Sequence, residues 1–96
     1  MMTVIAYDVD TKDPRGEKRL RRVAKICVNY GQRVQNSVFE CLADAATFEK
    51  VKHALLDVID VEKDSLRFYY LGNRYQSKIE KYGRMPSYEA DGFIAL

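Results

Sequence analysis

Residues 33–42, RVQNSVFECL, decide how this chain folds. β-Branched and aromatic residues suit a pleated, half-buried surface, and Val34, Val38 and Phe39 mark the stretch as strand. Between them, Gln35, Asn36 and Ser37 interrupt the pattern at the point where a hairpin or a bulge can bend the chain. The segment therefore reads as two short strands, or as one bent strand.

Working outward, Thr3–Val9 reads as a first strand whose continuous apolar opening fits a central place in a sheet, buried on both faces. DTKDPRG (residues 10–16) then supplies an Asp-Pro pair and a glycine, which stop the strand. From Glu17, apolar Leu20, Val23, Ala24, Cys27 and Val28 recur at helical spacing, with Lys18, Arg21, Arg22 and Lys25 largely off that stripe. Gly31 is expected to end this helix in the left-handed conformation. Beyond the central stretch, Asp44 is placed to cap a second helix carrying Phe48, Val51, Leu55 and Ile59 at the same spacing. DVEKD (residues 60–64) reads as a charged connector. Ser65–Leu71 alternates, with Leu66, Phe68 and Tyr70 on one side, as a half-buried strand does.

The order β-α-β-β-α-β defines a ferredoxin-like α+β sandwich, an antiparallel sheet with two helices on one face. The remaining NRYQSKIEKYGRMPSYEADGFIAL is too long for a frayed end and too broken by Gly83, Pro86 and Gly92 for one helix. Lys78–Tyr82 is expected to form an extra C-terminal strand, and the tail to dock on the partner subunit of a homodimer through an exposed sheet edge.

At 96 residues the chain has room for one domain, 1–96, with a core over about 1–72 and a docking segment over about 73–96. So small a domain buries a modest share of its surface, which favours oligomerisation. Apolar residues at 47% and charged residues at 31% argue against disorder and against a membrane protein. With no basic flank or cleavage site at the N-terminus, a cytoplasmic location is expected. Cys27, Cys41 and the single histidine, His53, cannot make a tetrahedral zinc site, and both cysteines read as small core residues in a reducing compartment.

Net charge is only +2, yet Lys12, Arg15, Lys18, Arg19, Arg21, Arg22, Lys25 and Arg33 crowd one segment. That concentration fits either an anion-binding face or a solvated helix surface.

The first strand ends in YDVD. Side chains alternate along a strand, so Asp8 and Asp10 can share a side, with Asp8 expected to be the more enclosed. Alone, such a carboxylate reads as a cap or as the partner of an arginine. A C₂ dimer that brought the two strand ends together would double the carboxylates, and magnesium commonly takes only one or two of these while keeping several waters.

YDVD, the basic helix KRLRRVAKIC, the run GQRVQNSVFEC and the later KDSLRFYYLGN together resemble the second universal CRISPR-associated protein family, the small partner of the integrase in spacer acquisition. The resemblance runs through Gly72. It implies a catalytic and metal-binding role for Asp8 from both subunits, with Asp10 a further candidate ligand and Mg²⁺, or alternatively Mn²⁺, as the ion. Arg19, Arg21, Arg22 and Arg33 become candidates for nucleic-acid binding, with Tyr7, Ser37 and Phe39 in support. It further implies a homodimer that acts with the CRISPR integrase on double-stranded DNA, and cleavage of DNA or RNA. The alternatives are a non-catalytic scaffold and a toxin-like endoribonuclease of the same fold.

Overall fold

In the computed structural model, which describes residues 1–83, strand β1 (Met2–Asp8) takes its orientation from alternation. Thr3, Ile5 and Tyr7 turn inward and are buried, whereas Val4 and Ala6 are half-buried and Asp8 is exposed. The strand gives way to helix α1 (Gly16–Tyr30), followed by β2 (Gln32–Gln35) and β3 (Val38–Leu42). RVQNSVFECL thus contains both expected devices: a two-residue turn at Asn36 and Ser37, and a register shift between Arg33 and Gln35. Helix α2 (Ala45–Val58) and strand β4 (Ser65–Gly72) complete the ferredoxin-like β-α-β-β-α-β order.

The sheet runs β2-β3-β1-β4 and is antiparallel throughout, so β1 is central as its apolar opening requires. Ile5 pairs with Phe39 and Thr3 with Cys41, placing these four on one face. Against that face pack Val23 and Cys27 of α1 and Phe48, Val51 and Leu55 of α2, the core of the molecule. Phe48 meets Phe68 and Tyr70 edge-on, with centroids 5.2 and 5.7 Å away, which extends the core under β4. Burial pushes the Cys27 thiol up to about 12 and raises that of Cys41, so both remain protonated core residues.

The opposite face carries no helix among the described residues. Val4 and Ala6 lie there beside Val38 and Glu40 of β3 and Arg67 and Tyr69 of β4. Leu42, 57% exposed, and Tyr69, 48% exposed, add apolar surface to this open face around the charged Glu40 and Arg67.

Three expectations are corrected. Gly31 is extended (φ −150°, ψ −173°) and is not left-handed. Its glycine answers a close approach, because a Cβ there would lie 2.7 Å from the Glu40 carbonyl oxygen. Lys78–Tyr82 forms no strand within the chain. After Gly72, with φ +79°, a short 3-10 turn forms at Gln76–Lys78, and Lys78 Nζ donates to the Leu71 carbonyl at 2.9 Å. Third, Asp8 is not the more enclosed of the two acids, since the inward turn of Tyr7 sends the next side chain to the open face. The rest of the expected docking segment, residues 84–96, lies outside the described residues.

Helix capping follows the sequence. The Asp44 carboxylate accepts from the Thr47 backbone N–H at 2.7 Å, and that bond holds the Asp44 carboxyl below its usual range. No helix among the described residues is long and apolar enough to cross a membrane.

Candidate functional site

β1 delivers Asp8 to the sheet's end, opposite Ser65 of β4. No hydrogen bond or ion pair engages its carboxylate among the described residues, and three shallow depressions border it. Asp10 lies past the strand and is half-buried, with Oδ1 accepting the Lys12 backbone N–H at 3.0 Å. That bond makes Asp10 a turn-forming residue and leaves Asp8 as the free acid of the pair.

Behind Asp8 stands an aromatic support. Tyr7 stacks on Phe39 with centroids 6.0 Å apart, and the Arg33 guanidinium lies 5.0 Å from the Phe39 ring centroid, a cation–π distance. The Tyr7 hydroxyl donates to the Asn36 carbonyl at 3.2 Å, and burial raises its pKa against the opposing pull of Arg33. The Tyr7 backbone N–H donates to the Ser37 carbonyl at 3.1 Å. Ser37 is therefore brought to the strand end by its backbone, with its side chain exposed. Phe39 is fully buried, and half-buried Arg33 packs on it apart from the outer face of α1.

The three α1 arginines separate. Arg19 is committed inside the fold: Nη1 donates to Asp13 at 2.6 Å, and Nε and Nη2 donate to Asp64 at 2.8 and 3.1 Å. Its side chain is only 11% exposed, and its guanidinium is held by two carboxylates in this structure. Arg21 and Arg22 are exposed. Arg22 shares the wall of a 730 Å³ cleft with Arg15, Lys18 and Lys63, a cationic rim of the kind that phosphates favour.

The buried carboxylate of this cluster belongs to Asp64, the last residue of the charged connector DVEKD. Its side chain is 0% exposed and also accepts the backbone N–H groups of Asp10 and Asp60, at 3.0 and 2.9 Å. A signal existed: an aspartate directly preceding a strand, near in the fold to an acid-rich strand end and to a helix rich in arginine. Among the described residues no three potential metal ligands gather, so one chain offers one free carboxylate at the strand end.

Fold and site together define a class: a small ferredoxin-like protein with an unpaired acid at the tip of its central strand and a cationic helix beside it. The model of the family described as CRISPR associated protein Cas2 matches residues 1–79, and the chain belongs to that family. It is 53% identical to the CRISPR-associated endoribonuclease Cas2 of Nitratidesulfovibrio vulgaris over 96 residues, covering all of this chain and 94% of that one. It is 54% identical over 91 residues to the CRISPR-associated endonuclease Cas2 of Halalkalibacterium halodurans, covering 95% of each. The crystal structure of Streptococcus pyogenes Cas2 superposes with a TM-score of 0.74 at 55% identity, over 86% of this chain and all of that one.

Proposed function

We propose that this chain is a homodimeric phosphodiester endonuclease of CRISPR adaptation, in which the open sheet faces of two copies meet and Asp8 of each copy lines one cleavage site. The observation that carries the proposal is the unengaged Asp8 carboxylate at the end of an apolar open face. Val4, Ala6, Val38, Leu42 and Tyr69 there are the apolar material of an interface. A two-fold axis through that face pairs identical residues, which doubles the free carboxylate.

The donor set fits magnesium, or manganese, in its chemistry: a hard carboxylate oxygen, open to water, with no thiolate or imidazole beside it. When bound, such an ion makes a water acidic enough to act as a nucleophile and offsets negative charge developing on the phosphate. Asp8 would hold the ion, with Tyr7 and Phe39 fixing the strand that presents it and the α1 cations drawing in the substrate backbone. These functions do not distinguish RNA from DNA, because phosphates carry little sequence or sugar information.

The exposed cations Arg15, Lys18, Arg21, Arg22 and Lys25 favour a second role for the same dimer. It is a scaffold that supports double-stranded DNA beside the CRISPR integrase during spacer acquisition, and this role requires the cationic face but not Asp8.

One comparison tests both. Wild type and Asp8→Ala are assayed for cleavage of defined nucleic acids and for spacer insertion with the integrase. Cleavage lost with insertion retained supports both roles. Unchanged cleavage removes Asp8 from the chemistry, and insertion that proceeds equally without this protein removes the scaffold.

A further inference from the structure

The β2–β3 turn at Asn36 and Ser37 stands beside Asp8 with its backbone fixed and its side chains free. Both carbonyls are held by Tyr7, through its hydroxyl to Asn36 and its backbone N–H to Ser37. Yet Asn36, Ser37 and the neighbouring Thr11 are exposed, and no hydrogen bond among the described residues engages the Asn36 amide or either hydroxyl. These polar groups rim a depression of about 580 Å³ in which buried Val9 and half-buried Leu20 supply apolar surface, with Asp8 at the edge. The volume is in the range of small-ligand clefts, roughly 300–1,000 Å³.

The lining selects among the parts of a nucleotide. A phosphate is disfavoured, because the one charged side chain of the lining is the Asp8 carboxylate. A base suits it: its flat face can cover Val9 and Leu20, and its edge carries donors and acceptors. An asparagine amide offers one acceptor and two donors, and so can pair with a base edge through two bonds at once.

We propose that this depression is a nucleobase subsite, which seats the unpaired base of a nucleotide next to the phosphodiester bond served by Asp8, with Asn36 reading its edge. The inference rests on the reading of Asp8 as the cleavage carboxylate, and adds a source of base preference that phosphate contacts cannot supply. In a duplex both faces of a base are covered by its stacked neighbours, so a base must leave the stack to lie over Val9 and Leu20.

The first test compares oligonucleotides with one cleavable bond, whose neighbouring nucleotide is either intact or abasic. Wild type is expected to lose about 10-fold in kcat/KM on the abasic substrate, the scale of one lost base contact. Asn36→Ala should treat the two nearly alike, and Asn36→Gln should restore part of the difference. Equal wild-type rates on both substrates overturn the subsite.

A second test needs no cleavage. The side-chain amide resonances of Asn36 are followed in Asp8→Asn protein during titration with a nucleoside monophosphate or with ribose 5-phosphate. Shifts caused by the nucleotide alone support the subsite; equal shifts, or none with either, overturn it. Should Asp8→Asn still cleave like wild type, the cleavage reading is lost and this titration alone decides whether a base binds.

Discussion

Arg19 engages Asp64 side-on, Nε to Oδ2 at 2.8 Å and Nη2 to Oδ1 at 3.1 Å, and this pair ties α1 to the loop that leads into β4 beside the Asp8 strand end. Asp64 leads directly into β4, whose first residue, Ser65, faces Asp8 across the sheet. The same carboxylate anchors the Asp10 backbone N–H, two residues past Asp8. Asp13 closes the far side by accepting from Arg19 at 2.6 Å and from Lys63 Nζ at 2.9 Å.

Replacing Asp64 by alanine leaves the N–H groups of Asp10 and Asp60 and the Nε and Nη2 of Arg19 without their acceptor. Orphaned buried donors carry a large penalty, so Asp64→Ala should lose about 2–3 kcal/mol of folding stability. Denaturant unfolding measures this. A change below about 0.5 kcal/mol, typical of an ordinary surface site, would show that the cluster is not structural.

The same cluster gives an acid window. Hydrogen bonds from Lys63 and Arg19 bring the Asp13 carboxyl down from 3.8 to about 2, and the Arg19 contact likewise lowers that of Asp64. A carboxyl with a folded pKa below its unfolded value binds its proton more tightly in the unfolded chain. Its stabilisation is therefore complete above the unfolded pKa and is lost as pH falls through the folded one. Urea midpoints should drop between about pH 4 and pH 2 in wild type. The drop should be shallower in Arg19→Met, and parallel curves for the two proteins would refute the assignment.

Gly16 opens α1 with its Cα against the preceding loop: a Cβ there would sit 2.0 Å from the Asp10 carbonyl oxygen. Helix propensity alone predicts that alanine stabilises this position by up to about 1 kcal/mol. The clash involves backbone and cannot be relieved by rotating a side chain. Gly16→Ala should therefore destabilise by about 2 kcal/mol or more. Gly72→Ala meets no atom within 4 Å at φ +79°, so it should cost only the left-handed penalty of about 1–2 kcal/mol. The order of the two melting temperatures checks the argument.

The order of elements, the Asp44 cap and the core faces of both helices were legible in the sequence because each follows from local periodicity or local chemistry. The sheet order was legible through the fold class that the element order defines. Gly31 was misread because its constraint is a carbonyl from β3, distant in sequence and absent from any helix-end pattern. Arg19 looked like Arg21 and Arg22 in the basic run KRLRR. Only the meeting of residues 13 and 64 in space separates it from them. The exposure of Asp8 was hidden for a related reason: apolar Val4 and Ala6 suggested a second buried face, but among the described residues that face has no layer upon it. Lys78–Tyr82 carried strand-like residues but pairs with no strand among the described residues, and a strand is defined by its partner as much as by its composition.

Asp8→Asn removes an exposed charge with no partner among the described residues, so stability without divalent ions should change by less than about 0.5 kcal/mol. Magnesium should discriminate between the two proteins. A ligand bound only to the folded state raises stability in proportion to the logarithm of its concentration above Kd, so wild-type melting should climb with added magnesium while the variant stays flat. Equal slopes would place the ion elsewhere. Sedimentation at the same concentrations should show both proteins as dimers, since the proposed interface is made by the apolar open face.

The exposed arginines make the opposite prediction from Arg19. Arg21→Glu and Arg22→Glu should leave the melting temperature nearly unchanged, because exposed charges contribute little to folding and these two have no partner among the described residues. Both should weaken duplex binding, and each should lower the slope of log K against log salt by about 1, the value for one lost phosphate contact. Arg19→Met should behave conversely, with a lower melting temperature and a salt slope close to that of wild type, because its guanidinium already faces Asp13 and Asp64. Filter binding at several salt concentrations, paired with thermal melts of the same preparations, separates the two kinds of arginine. A salt slope that falls as much in Arg19→Met as in Arg22→Glu would mean that the pair with Asp64 opens when nucleic acid binds.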